Sequence, residues 1–157
     1  LGGDGSTYGF GEYIVGRHWE KRGYRWVHHD FDIIGANEDG KYPSQAILEK
    51  ALGADRLREF KALCKATAPF HEPRHASIEQ PDLLIYRPGT TEIRFAECKR
   101  ADTGDKLNGR QALGLYLIAA VLRLPVDVFL VAEKGKQVAS LPSVTFSYGA
   151  GGLSVSG

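Results

Sequence analysis

Asp82, Glu97 and Lys99 are residues whose types and spacing could do chemistry together. Asp82 follows Pro81 and opens a short apolar run to Tyr86, and a second run, Glu92 to Cys98, leads to Lys99. Arg-Pro-Gly-Thr-Thr lies between the runs, a hairpin-like connection between two strands. In a hairpin the start of one strand lies beside the end of the next, so the two acids meet although 15 positions apart. Glu97 and Lys99 are two apart and point to the same face. The pattern therefore predicts two carboxylates and an ammonium at one sheet edge. A hard cation such as Mg2+ takes oxygen ligands and keeps several waters. Two carboxylates and a backbone carbonyl suffice to hold it beside a phosphate. Such an ion stabilises charge on the phosphate and acidifies a bound water, which a nearby lysine can orient. A single strand-end acid is more often just solvated. Pro-Asp opening one apolar strand and Glu-x-Lys closing its neighbour is a more specific combination.

The elements that would position this trio can be read on both sides of it. Tyr8 to Arg22 has Phe10, Tyr13, Ile14 and Trp19 near helical spacing, with Gly23 as its stop. Tyr24 to Ile34 alternates like a strand, and Asn37 to Gly40 is turn chemistry. Pro43 opens a helical stretch with Ile47, Leu48, Ala51 and Leu52 on one face, ending at Gly53. Asp55 is placed to cap a further helix carrying Leu57, Phe60 and Leu63. Residues 69–80 lack periodicity and read as a loop. After a polar segment, Leu113, Tyr116, Leu117, Ala120, Val121 and Leu124 mark an amphipathic helix. Pro125 ends it before a buried strand, Val126 to Ala132, and the Gly- and Ser-rich tail from Tyr148 is expected to fray. The order predicts one α/β domain, a mixed sheet flanked by helices.

Composition sets outer bounds. The chain has 157 residues, 43% apolar and 25% charged, enough for one real core and too ordered in composition for a disordered segment. No apolar run is long enough to span a bilayer, and no secretory signal pattern opens the chain. Two cysteines, Cys64 and Cys98, make no disulfide framework and suit a cytoplasmic, reduced setting. The chain begins with Leu and contains no Met, as a piece of a longer protein would.

Pro81-Asp82 followed by Glu97-Cys98-Lys99 resembles the PD-(D/E)XK nuclease motif. The stretch AECKRADTGDKLNGRQALGLYLIAA resembles its VRR-NUC branch, where Glu-x-Lys leads through a polar loop into a helix bearing a Gln, here Gln111. The branch also has a glutamate in its first helix, three turns before a glycine, and Glu12, eleven residues ahead of Gly23, matches. The resemblance covers residues 8–34 and 81–132. It implies a restriction-endonuclease-like αβββαβ core and hydrolysis of DNA phosphodiesters with Mg2+ or Mn2+. Asp82, Glu97, Glu12 and the Cys98 carbonyl would be metal ligands, Lys99 would act on the attacking water, and Gln111 would orient groups around Lys99. Residues 37–80 are a helical insertion outside the resemblance, as is the segment after Ala132.

Each supporting residue also has a plainer reading. Asn108 with Gln111 three positions on spells a capping box, and Glu12 suits the positive end of a helix dipole. Glu20 is the rival acid, expected on the exposed side with Lys21. Arg17, Lys21, Arg22 and Arg25 face a single acid over residues 17–29, where His18, His28 and His29 also lie. Arg100, Lys106 and Arg110 flank the motif. Arg17, Lys21, Arg100, Lys106 and Arg110 are the candidate DNA contacts. Cys64, His71 and His75 could contribute to a zinc site, though no second cysteine pair supports one. The expectation is a metal-dependent deoxyribonuclease, of repair or phage type or the toxin end of a larger protein. The toxin case would bring delivery into a target cell and an immunity partner. A homodimer stays open, and the alternative is a nuclease-like binding module that grips nucleic acid or protein without cutting.

Overall fold

The computed structural model describes residues 9–36, 42–67 and 78–136, and the backbone of 145–149 and 152–156. Helix α1 runs Phe10–Glu20, and the chain turns through Gly23, whose φ of 82° a side chain would resist, into strand β1, Arg25–His28. Helices α2, Gln45–Leu52, and α3, Ala54–Thr67, follow. Strands β2, Leu83–Tyr86, and β3, Ile93–Arg100, form the expected hairpin. Helix α4, Gly109–Val121, then crosses to strand β4, Val126–Val131, which pairs parallel to β3. The sheet order is β1-β2-β3-β4, antiparallel except for the last pair. The chain is thus mixed α/β, with a four-stranded mixed sheet and four helices among the described residues.

Strand alternation gives the sheet two apolar faces. Leu83, Ile85, Ala96, Cys98 and Val131 pack on Val15 and Trp19 of α1. Leu84, Ile93 and Phe95 pack on the other side against Leu117, Ile118 and Leu122, together with Leu48, Leu57, Phe60 and Cys64 of α2 and α3. No described helix is long and apolar enough to cross a membrane.

Several expectations change. The strand from Tyr24 to Ile34 ends at His28, because His29 takes φ 55° and turns the chain out of the ladder. Residues 31–34 are buried irregular backbone instead, held by side chains: Gln80 Nε2 donates to Phe31 O at 2.9 Å, and Asp32 N donates to Gln45 Oε1 at 3.0 Å. Asp55 lies inside the first turn of α3 rather than capping it, and its carboxylate takes Arg58 at 2.8 Å. Cys64, not Leu63, faces the core. On α4 Leu113, Tyr116 and Leu117 of the expected face meet the core and Leu124 beyond it does too, but Ala120 and Val121 are exposed, and the other buried positions are Ala112, Gly114, Leu115 and Ile118. Strand β4 is an edge strand with Val128 and Leu130 exposed, not a buried one. Where a frayed tail was expected, β5, Thr145–Gly149, and β6, Gly152–Ser156, pair antiparallel. Residues 37–40 and most of the 69–80 loop lie outside the described residues.

Candidate active site

The register of the hairpin builds the site. Leu83 pairs with Ala96, so one step further out Asp82 comes opposite Glu97. There the side chains take over from the ladder: Asp82 N donates to Glu97 Oε2 at 3.3 Å, and Cys98 N donates to Asp82 Oδ2 at 2.8 Å. Lys99 Nζ lies 2.8 Å from Glu97 Oε1 and 3.8 Å from Asp105 Oδ2. Glu97 has no accessible surface and Lys99 is buried. The sequence placed these three together, and the structure brings them together.

Burial pushes the Asp82 carboxyl up, opposed by the Cys98 N–H and by Lys99. The same desolvation, reinforced by the Asp82 charge, pushes Glu97 up to about 7. Burial alone would lower Lys99, but its bond to Glu97 outweighs this, holding the amine above its ordinary value and charged. Two carboxylates therefore share one ammonium, and the excess negative charge is what a cation would neutralise. Among the described residues no three His, Cys, Asp or Glu side chains form a preassembled metal cage. A hard cation that retains water and substrate oxygens does not need one, so the donor set here fits Mg2+ or Mn2+.

Helix α1 supplies the rest. A Cβ added at Gly11 would sit 3.4 Å from Cys98 Cβ, so the helix crosses β3 at the motif itself. Glu12, on the next position, adds like charge that raises Asp82, and its Oε1 lies 3.8 Å from Nε2 of His28. Burial, then the neighbouring His29, holds the His28 imidazole below its ordinary value despite Glu12. The His28 and His29 rings stand 3.8 Å apart between centroids, and His29 charge would favour ionised Asp82. Sequence reasoning placed these histidines only in a basic stretch. No sequence signal marked them: the register alone pairs His28 with Leu83, which follows Asp82 in the chain. Glu20, the rival to Glu12, is half-buried rather than exposed, and accepts the Trp26 indole N–H at 2.9 Å while pairing with Arg17.

Gln111 completes the capping box of α4: its Oε1 accepts from Asn108 N at 3.2 Å, while Asn108 Oδ1 accepts from Gln111 N at 2.9 Å. Its oxygen is thus engaged at the helix start. Arg100 grips Asp102 through two bonds at 2.7 and 2.8 Å, reaches Glu133, and stacks over Phe10. That clamp holds Asp102 well below the usual carboxylate range. Arg110 pairs with Glu79 at 2.6 Å. Of the candidate DNA contacts, Arg17, Arg100 and Arg110 are thus tied to acids, while Lys21 and Lys106 are exposed. Cys64 is a free thiol in the core, pushed up to about 11 by burial and then by Asp32. His71 and His75 lie outside the described residues.

The chain matches no family model, no curated protein and no solved structure. Function must be read from the site.

Proposed function

We propose that this chain is a divalent-metal-dependent nuclease that hydrolyses DNA phosphodiesters, on a core of the restriction-endonuclease kind. The observation that carries the reading is the pair of buried Glu97 and half-buried Asp82, with a single ammonium between their charges and neutrality. A structural ion pair has no use for a second carboxylate drawn in beside it. A cation site beside a phosphate does.

In this reading Asp82, Glu97 and the Cys98 carbonyl hold Mg2+ or Mn2+, with Glu12 completing the acidic cluster. The ion supplies charge neutralisation at the phosphate and acidifies a water. Lys99, fixed by Glu97, holds its ammonium where negative charge develops and orients the attacking water. Asp82 is fixed in turn by the Cys98 N–H, so the centre is pre-organised by the hairpin. Gln111 secures the start of α4 beyond the β3–α4 loop. The exposed Lys21 and Lys106 are the residues best placed among the basic candidates to meet a phosphate backbone.

Supercoiled plasmid incubated with the protein and Mg2+ or Mn2+ should be nicked or linearised, and EDTA should stop it. Asp82→Asn and Lys99→Met should each slow cleavage by roughly a thousandfold or more with the circular dichroism of the native fold retained. Cutting that survives EDTA, or variants as fast as wild type, would refute the assignment. DNA retention without any cleavage would favour a binding module instead.

A further inference from the structure

Buried polar atoms without a hydrogen bond among the described residues include Glu97 Oε1 and His28 Nε2. The first has the Lys99 ammonium at 2.8 Å. The second faces the Glu12 carboxylate at 3.8 Å, too far for a hydrogen bond. An imidazole nitrogen sealed from water and aimed at an acid without bonding it is an unfavourable arrangement for a purely structural histidine. A single ion could span that distance. A transition ion binds imidazole nitrogen and carboxylate oxygen at about 2.1 Å each, so one ion can bridge donors up to about 4.2 Å apart.

We propose that His28 is a metal ligand, which with Glu12 holds a divalent first-row transition ion in preference to Mg2+ at the α1 side of the site. Magnesium favours an all-oxygen shell, whereas a nitrogen donor favours transition ions. Water and substrate phosphate oxygens complete the shell, in keeping with the lack of a third preassembled side chain among the described residues. The backbone supports the role: His28 is the last residue of β1 and pairs with Leu83, whose side chain packs toward α1, so His28 shares the sheet face from which α1 brings Glu12. The proposal rests on the nuclease reading for its setting, but it is tested without DNA.

Mn2+ is the probe. Pulsed electron paramagnetic resonance on Mn2+ bound to the full chain should show 14N coupling from a directly bonded imidazole. His28→Asn should abolish that coupling and weaken Mn2+ binding by about tenfold or more, while Mg2+ affinity changes little. Metal-free thermal melts of both proteins confirm that the variant is folded. Because the His29 ring stands beside it, His29→Asn is the second variant: coupling that survives there assigns the nitrogen to His28 even if His28→Asn folds poorly, and coupling lost there overturns the assignment. Bound Mn2+ with no nitrogen coupling would overturn the inference and leave the nuclease reading standing. Failure of the wild type to bind either ion, with no plasmid cleavage, would overturn both.

Discussion

A carboxyl sealed from water beside a second carboxylate binds its proton more tightly in the folded than in the unfolded chain, and Glu97 does so up to about 7. The sign follows from linkage. Between about 4.5 and about 7 the folded state holds a proton that the unfolded state releases, so this group's contribution to stability falls as pH rises through that window and is level above it. His18 and His28, both held below 6.5 chiefly by burial, act in the opposite sense, losing stability as pH falls through 6.5. The raw melting temperature mixes the two. The difference between wild type and Glu97→Gln isolates the first, and in EDTA it should decline by roughly 2 kcal/mol between pH 5 and pH 7. Added Mg2+ should restore the wild type at pH 8 and do less for the variant. A difference that stays level from pH 5 to pH 7 would mean that neither burial nor the Asp82 charge raises Glu97. At this scale the acid pair and lysine were legible because hairpin geometry follows from spacing. The placement of His28 was not, because β1 stops where His29 adopts a left-handed backbone that no alternation pattern reveals.

Elements with one clear period were read well, and those with two plausible faces were not. Helix α1 and the β2–β3 hairpin emerged within two residues of expectation because turn residues bracket them. Helix α4 was found and Leu113, Tyr116, Leu117 and Leu124 of its expected face do meet the core, but Ala120 and Val121 do not, since residues 112–122 are apolar all round and any stripe fits. What orients it is a contact: a Cβ on Gly114 would come 2.0 Å from the backbone oxygen of Glu79, so the segment 78–80 lies flat on the helix there. Glu79 N donates to Arg110 O at 3.3 Å along the same seam. Gly114→Ala should therefore displace backbone, costing about 2–4 kcal/mol. Gly109→Ala, with open space around its Cβ, should leave stability within about 0.5 kcal/mol of wild type. Denaturant titration of both variants checks the pair. Equal effects would show that helix propensity, not the Glu79 contact, sets the cost. Because 78–80 leads directly into Asp82, the first variant should also lower cleavage.

At the scale of the molecule the sequence suggested one domain made of a nuclease core and a helical insertion, with no sign of how the two meet. The packing joins them. Phe60, Leu57 and Leu48 of the insertion share one buried cluster with Leu84, Phe95 and Ile118 of the core, and Arg56 Nη2 donates to Leu122 O at 2.8 Å. Lys61 also reaches Asp32 at 2.8 Å, and Asp32 accepts the N–H groups of Gly35 and Ala36, so α3 anchors the irregular segment that follows His28 and His29. No local pattern announces this, because each helix alone looks like an ordinary amphipathic surface element. Its consequence is cooperativity. Phe60→Ala should cost about 3–5 kcal/mol, as for a large aromatic removed from a close-packed core. The loss should register equally in two probes: helical circular dichroism, to which α2 and α3 contribute, and fluorescence of Trp19 on α1 and Trp26 on β1, which belong to the cluster on the other face of the sheet. Coincident transitions in both probes would identify one folding unit that carries the site. Were the helical signal to melt first with the tryptophan signal unmoved, α2 and α3 would be a separable appendage, and their hold on the strand bearing His28 would not be what fixes the site.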